Sequence, residues 1–116
     1  MQTAGNTKFA ARMAGHVGEQ IDAACPIGQF AWLGLGTFHF VVAKSSLMGK
    51  PTGALLARVS YAEVARAKLT EAELTLRVDL DLFDGRRLAF ETKRLGQNKP
   101  NVDVLVLLQT RVDKAI

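Results

Sequence analysis

From Leu74 to Leu82 apolar and polar residues alternate one for one: Leu74, Leu76, Val78, Leu80 and Leu82 are interleaved with Thr75, Arg77, Asp79 and Asp81. A period of two makes one apolar and one charged face, so the segment reads as a half-buried strand. Asp84-Gly85 marks a turn, and Arg87 to Thr92 returns. A two-residue loop at Asp84-Gly85 would set Leu82 against Arg87 and Asp81 against Leu88, which puts a leucine on the charged face. A three-residue loop, Phe83-Asp84-Gly85, sets Leu80 opposite Leu88, Val78 opposite Phe90 and Leu76 opposite Thr92. All three pairs then share the apolar face. This loop needs its last residue in the left-handed region, which glycine occupies at little cost. The same register faces Arg77 with Glu91 and Asp81 with Arg87, pairs that contribute a few tenths to about 1 kcal/mol each. Asp79 and Asp81 are read as charges on a solvated face rather than a catalytic carboxylate pair.

The rest of the chain is read around this hairpin. Phe9, Met13 and Val17 recur at helical spacing in Lys8 to Gly18, which predicts a short amphipathic helix in a tail spanning 1–17. Gln20 to Cys25 is a strand expected to stop at Pro26. Ile27 to Ala43 is the most apolar stretch. Its glycines, with Gln29, Thr37 and His39, argue against a membrane span. The expectation is a strand ending in Phe30 to Leu33, a turn at Gly34-Leu35-Gly36, and a strand from Thr37 to Ala43. In that strand Phe38, Phe40 and Val42 share one face and His39 and Val41 the other. Lys44 to Gly53 has loop composition, and Ala54 to Val59 is a strand candidate. Ser60-Tyr61-Ala62-Glu63 is a capping-box pattern. Val64 to Ala72 reads equally as helix or strand. After a basic loop, Lys93 to Pro100, Asn101 is the expected N-cap of a C-terminal helix with Leu105, Leu108 and Val112 on one face. The fold class expected is α+β, mainly β, in a single domain over 18–116.

Composition narrows the function. The chain has 116 residues, 48% of them hydrophobic and 22% charged, as in ordinary globular domains. One cysteine, Cys25, excludes an internal disulfide and a cysteine-based zinc site. Met1 to Gly18 lacks a signal-sequence pattern, so the expected location is cytoplasmic. The net charge of +4 tolerates acidic partners, but no basic stripe with stacking aromatics argues for nucleic acid. His16 and His39 have no clustering ligand partners, and Gly34-Leu35-Gly36 lacks a dinucleotide-loop context. With no nucleophile–base pair in view, neither an enzyme nor a cofactor is expected.

Two sets of residues are candidate sites. Phe30, Trp32, Leu33 and Leu35 would form an apolar interaction surface if they lay on a loop; the competing reading, slightly favoured, makes Phe30 and Trp32 core. Arg86, Lys93, Arg94 and Lys99 form a candidate basic patch, although a solvated loop face is the favoured reading. Arg87 drops out because Asp81 faces it.

The element order, with Val59-Ser60-Tyr61-Ala62-Glu63-Val64 before a strand pair and Leu82 to Leu88 as its tip, resembles the small bacterial pleckstrin-homology-like (PH-like) domains. Gly18 to Ala24 resembles their first strand. The resemblance implies a strongly bent antiparallel sheet or partly open barrel, plugged at one end by the last helix. It also implies a binding or assembly module. In phosphoinositide-binding relatives the first hairpin loop carries several Lys and Arg; Pro26 to Gly36 here carries none, which argues against that ligand. The function expected is protein interaction or self-assembly, as a homo-oligomer or with a partner, through an apolar surface. The alternative is binding of an acidic lipid or nucleic acid through basic loops.

Overall fold

The computed structural model describes residues 4–27, 31–94 and 99–115. Helix α1, Ala4–Val17, precedes four strands: β1 Ile21–Ile27, β2 Ala31–Gly36, β3 His39–Ser45 and β4 Pro51–Ser60. A single 3-10 turn, Tyr61–Glu63, leads into β5 Val64–Glu71, β6 Thr75–Leu82 and β7 Arg87–Lys93. Helix α2, Lys99–Ala115, ends the chain's described part. All pairings are antiparallel. The strands divide into a four-stranded sheet, β1-β2-β3-β4, and a three-stranded sheet, β5-β6-β7. The class is therefore α+β, mainly β, and the barrel is not closed: among the described residues no ladder joins the two sheets.

The β6–β7 hairpin has the three-residue register. Leu80 faces Leu88, Val78 faces Phe90, Leu76 faces Thr92 and Asp81 faces Arg87. Gly85 N–H donates to the Leu82 carbonyl at 3.0 Å, Leu82 N–H donates to Arg86, and Gly85 has φ +92°. Leu74 lies outside the strand and is exposed, because β6 begins at Thr75. Arg77 faces Glu91 in the ladder, yet its guanidinium turns along its own strand to Asp79 at 3.0 Å.

The capping box after β4 is formed in full. The Ser60 side chain accepts from Ala62 N–H, and Glu63 accepts from Ser60 N–H at 2.8 Å. Val64 to Glu71 is a strand, so the box caps one turn only. Alternation explains it: Val64 is buried, Arg66, Lys68 and Thr70 are exposed, and Ala67 and Leu69 pack on the core.

Three expectations are corrected. β1 continues through Pro26 to Ile27, because β1 is an edge strand and a missing N–H costs nothing on its free side. Gly34-Leu35-Gly36 is not a turn but the end of β2; the reversal comes at Thr37-Phe38, and Phe38 is exposed rather than facing inward with Phe40. A Cβ at Gly34 would sit 2.7 Å from Met13 Cε of α1, so the glycine marks close packing. Asn101 is not the cap of α2: the helix already includes Lys99 and Pro100, and proline suits a first turn where no N–H partner is needed.

The main core lies between the sheets. β1, β2 and β3 contribute Cys25, Leu33, Leu35, Phe40 and Val42, and β6 and β7 contribute Leu76, Val78, Leu80 and Phe90. Val104, Leu105, Leu108 and Val112 of α2 close it. On the other face of the first sheet α1 builds a second cluster: Ala10 and Met13 pack on Ile21, Ala24, Trp32, Val41 and Ala43. The N-terminal segment is thus part of the folded body. Leu80→Ala, at a fully buried side chain, is expected to cost about 2–5 kcal/mol. Arg77→Ala is expected to cost under about 1 kcal/mol. Chemical denaturation checks both; comparable losses would show that the face assignment fails.

Candidate functional site

The sequence-predicted apolar surface is not a surface. Trp32, Leu33 and Leu35 lie on β2, a central strand covered on both faces, and Trp32 is only 4% exposed. Leu33 and Leu35 enter the main core; Trp32 enters the α1 cluster, its ring 4.7 Å from that of Phe9. The core reading of Trp32 therefore holds. Phe30 lies outside the described residues.

The predicted basic set does not gather either. Arg86 sits at the β6–β7 tip and pairs with Asp84 at 2.8 Å. The Arg86 N–H, donated to Asp84 at 3.0 Å, and the guanidinium hold that carboxyl below its ordinary range. Lys93 is exposed at the far end of β7, about 20 Å away at ~3.3 Å per residue. Arg94 donates to the Ala72 carbonyl and approaches Glu71 at 3.7 Å. Lys99 pairs with Asp103 one helical turn on, at 3.3 Å. Three of these four cations are matched locally.

Sequence reasoning missed a denser charged region on the outer face of β5-β6-β7. Arg66 faces Asp81 and Lys68 faces Asp79 across the β5–β6 ladder. Arg87 reaches Asp81 from the other side at 3.2 Å. With Arg77 they line a shallow depression of about 530 Å³. The signal was present as alternation in Ala65 to Thr70, a segment that reads equally as helix or strand in the sequence. Each aspartate is flanked by cations, so part of the charge is offset, although the depression keeps four cations to two carboxylates; exposed pairs of this kind contribute little.

A second polar site joins the two halves of the fold. Arg111 of α2 pairs with Asp22 of β1 at 3.0 Å and donates to the Gly36 carbonyl at 2.6 Å. Tyr61 donates its hydroxyl to the same carbonyl at 2.8 Å. Thr37, Phe38, Ser60 and Lys114 complete the rim of a pocket of about 460 Å³. Burial raises the Tyr61 pKa, and the adjoining Arg111 guanidinium only partly offsets it. Arg111, Asp22 and Tyr61 are committed to one another and to the Gly36 carbonyl, so the arrangement fastens α2 to β1 and β2. Cys25 is buried, and desolvation pushes its thiol up to about 12, so it stays protonated and inert. Among the described residues no three His, Cys, Asp or Glu side chains gather where a metal could be held.

The unusual surface is the β3–β4 hairpin. Its tip repeats the loop geometry of β6–β7: Gly49 N–H donates to the Ser46 carbonyl, Ser46 N–H donates to Lys50, and Gly49 has φ +76°. The first two loop positions, where polar turn residues are usual, hold Leu47 and Met48. Both are exposed, Met48 at 81%. Leu55 and Leu56 are exposed along β4, Leu56 at 62%. The hairpin thus carries four of the eight exposed large apolar side chains among the described residues. Trp32 Nε1–H braces the tip by donating to the Gly49 carbonyl at 3.0 Å. The signal in the sequence was Leu47-Met48-Gly49, a turn that breaks the polar-loop rule.

The chain matches no protein-family model, and neither the curated proteins nor the solved structures gave a match.

Trp32→Phe keeps a ring beside Phe9 but removes the bond to Gly49. It is expected to cost about 1 kcal/mol and to speed amide exchange at Ser46 and Gly49; unchanged exchange there would show that the indole does not brace the tip. For Tyr61 the raised folded-state pKa favours the neutral ring. Its contribution is present below the unfolded value of about 10 and is lost as pH rises through the folded value. Tyr61→Phe is therefore expected to flatten the alkaline fall in melting temperature above about pH 10. Identical slopes in wild type and variant would remove Tyr61 from that role.

Proposed function

We propose that this chain is a PH-like, non-enzymatic binding module that engages protein through the β3–β4 hairpin. The antiparallel strands, the unclosed barrel and the helix that closes the core support the PH-like reading, since the sequence resemblance implies a bent sheet or partly open barrel plugged by the last helix. The observation that carries the functional reading is the concentration of exposed apolar side chains on one hairpin: Leu47, Met48, Leu55 and Leu56. Exposed apolar side chains concentrated on one hairpin support an interaction site there. It is held on a braced hairpin rather than a loose loop, so little ordering entropy is lost on docking.

The second reading is anionic-ligand binding, favoured by Arg66, Lys68, Arg77 and Arg87 around one depression. Asp79 and Asp81 in its middle weaken it, because an incoming phosphate would meet both carboxylates. The test compares Leu47→Ser/Met48→Ser and Leu55→Ser/Leu56→Ser with Arg66→Ser/Lys68→Ser at near-physiological salt. Oligomer mass by light scattering and retention of a co-purifying protein are the readouts. Association is expected to fall in the first two variants and to persist in the third. Binding to anionic vesicles or nucleic acid that is lost only in Arg66→Ser/Lys68→Ser would move the function to the charged face.

A further inference from the structure

We infer that the free edge of β4 is the docking line for an extended, acidic segment of a partner protein, added as a fifth strand beside β4. The inference rests on the reading of the β3–β4 hairpin as the interaction surface. It starts from hydrogen bonding. Among the described residues β4 pairs with β3 only, and Gly53 to Leu56 are exposed. An edge strand presents backbone N–H and C=O groups that another strand can satisfy. Edges are normally blunted by lysine, proline, bulges, inward charges or shortness; β4 has a proline only at its first residue, Pro51, and two register shifts. Thr52 to Ala57 carries no charge, and β4 is ten residues long. Its ladder to β3 shifts register twice, around Leu56 and again between Leu55 and Pro51, and neither shift places a charge on the edge; Leu56 stays exposed.

Charge selects the occupant. No Asp or Glu occurs between Asp22 and Glu63, while Lys44, Lys50 and Arg58 do. Residues 1–62 hold only two acids, Glu19 and Asp22, and both are already matched: Glu19 by Arg58 at 2.7 Å, Asp22 by Arg111. Arg12 lies one turn before His16 on α1, and the His16 ring rests against Gly53 at the start of β4, where a Cβ would lie 3.5 Å from Nδ1. The edge is therefore bordered by Arg12, Lys44 and Lys50, with no carboxylate among the described residues to neutralise them. A second copy would bring the same positive charge to the same line. A bilayer would cover the leucines but leave the edge backbone without partners, which hydrocarbon penalises heavily. A strand that alternates apolar residues with Asp or Glu satisfies all three demands. It pairs the backbone, covers Leu55 and Leu56, and places carboxylates near the lysines.

The probes are three ten-residue peptides alternating valine with glutamate, with lysine, or with serine. A fourth is the glutamate peptide N-methylated at every backbone nitrogen, which leaves neither edge an N–H to donate. They are titrated onto the intact chain at near-physiological salt while amide exchange is read along β4. The glutamate peptide is expected to bind about tenfold or more tightly than the lysine peptide, the sum of a few weak pairs. It should also slow exchange between Gly53 and Ser60. N-methylation, or Lys44→Glu/Lys50→Glu in the protein, is expected to remove that preference. The inference is overturned if the glutamate peptide leaves β4 exchange unchanged or if the lysine peptide binds equally. Protection of β4 without peptide and with doubled mass would overturn it in favour of a second copy. Protection by vesicles of phosphatidylcholine with phosphatidylglycerol would overturn it in favour of a bilayer. If the leucine variants still reduce association while the peptides fail, only the occupant is wrong; if those variants change nothing, the hairpin reading falls as well.

Discussion

The fold depends on one constraint: the first sheet's inner strands must be buried on both faces at once. β3 shows it residue by residue. Phe40 and Val42 enter the core between the sheets, while Val41 and Ala43 enter the cluster under α1. A strand of this kind cannot alternate apolar with polar, which is why Ile27 to Ala43 reads as an almost unbroken apolar run. It also cannot exist without two covers. The second sheet and α2 supply one, and α1 supplies the other. The close approach of Met13 to Gly34 shows how tightly the second cover sits.

The second cover problem falls on α2. Its apolar stripe closes the core, but a stripe alone leaves the helix free to slide. The Arg111 contacts to Asp22 and Gly36, beside the Tyr61 hydroxyl, fix where it stops. The Arg111 and Asp22 side chains remain partly exposed, so neither charge is fully desolvated and the pair avoids most of the penalty of a buried salt bridge. Its contribution is better described as registry than as net stability.

The two sheets treat their open surfaces in opposite ways. β5, β6 and β7 present charges of alternating sign, with aspartates bracketed by arginine and lysine. β4 and its tip are apolar, uncharged over six residues and bordered by cations without acids.

What the sequence by itself determined was whatever rests on near neighbours along the chain. The β6–β7 register followed from the parity of Leu80 with Leu88 and Val78 with Phe90 and from a glycine able to take positive φ. The capping box at Ser60 and the apolar stripes of α1 and α2 are equally local, since each depends on residues within about two helical turns. Tertiary structure decided the rest. Whether Val64 to Thr70 became strand or helix depended on β6 lying beside it. Whether Gly34 to Gly36 turned or continued depended on Met13 arriving from α1. Pro26 was tolerated because β1 is an edge, a fact of sheet order. Trp32, Leu33 and Leu35 were withdrawn from the surface because β2 lies inside the sheet with covers on both sides. The exposed surface then fell to Leu47, Met48, Leu55 and Leu56, residues no more hydrophobic than those it replaced. Hydrophobic pattern records that a side chain seeks burial; only the packing of distant elements decides which ones obtain it.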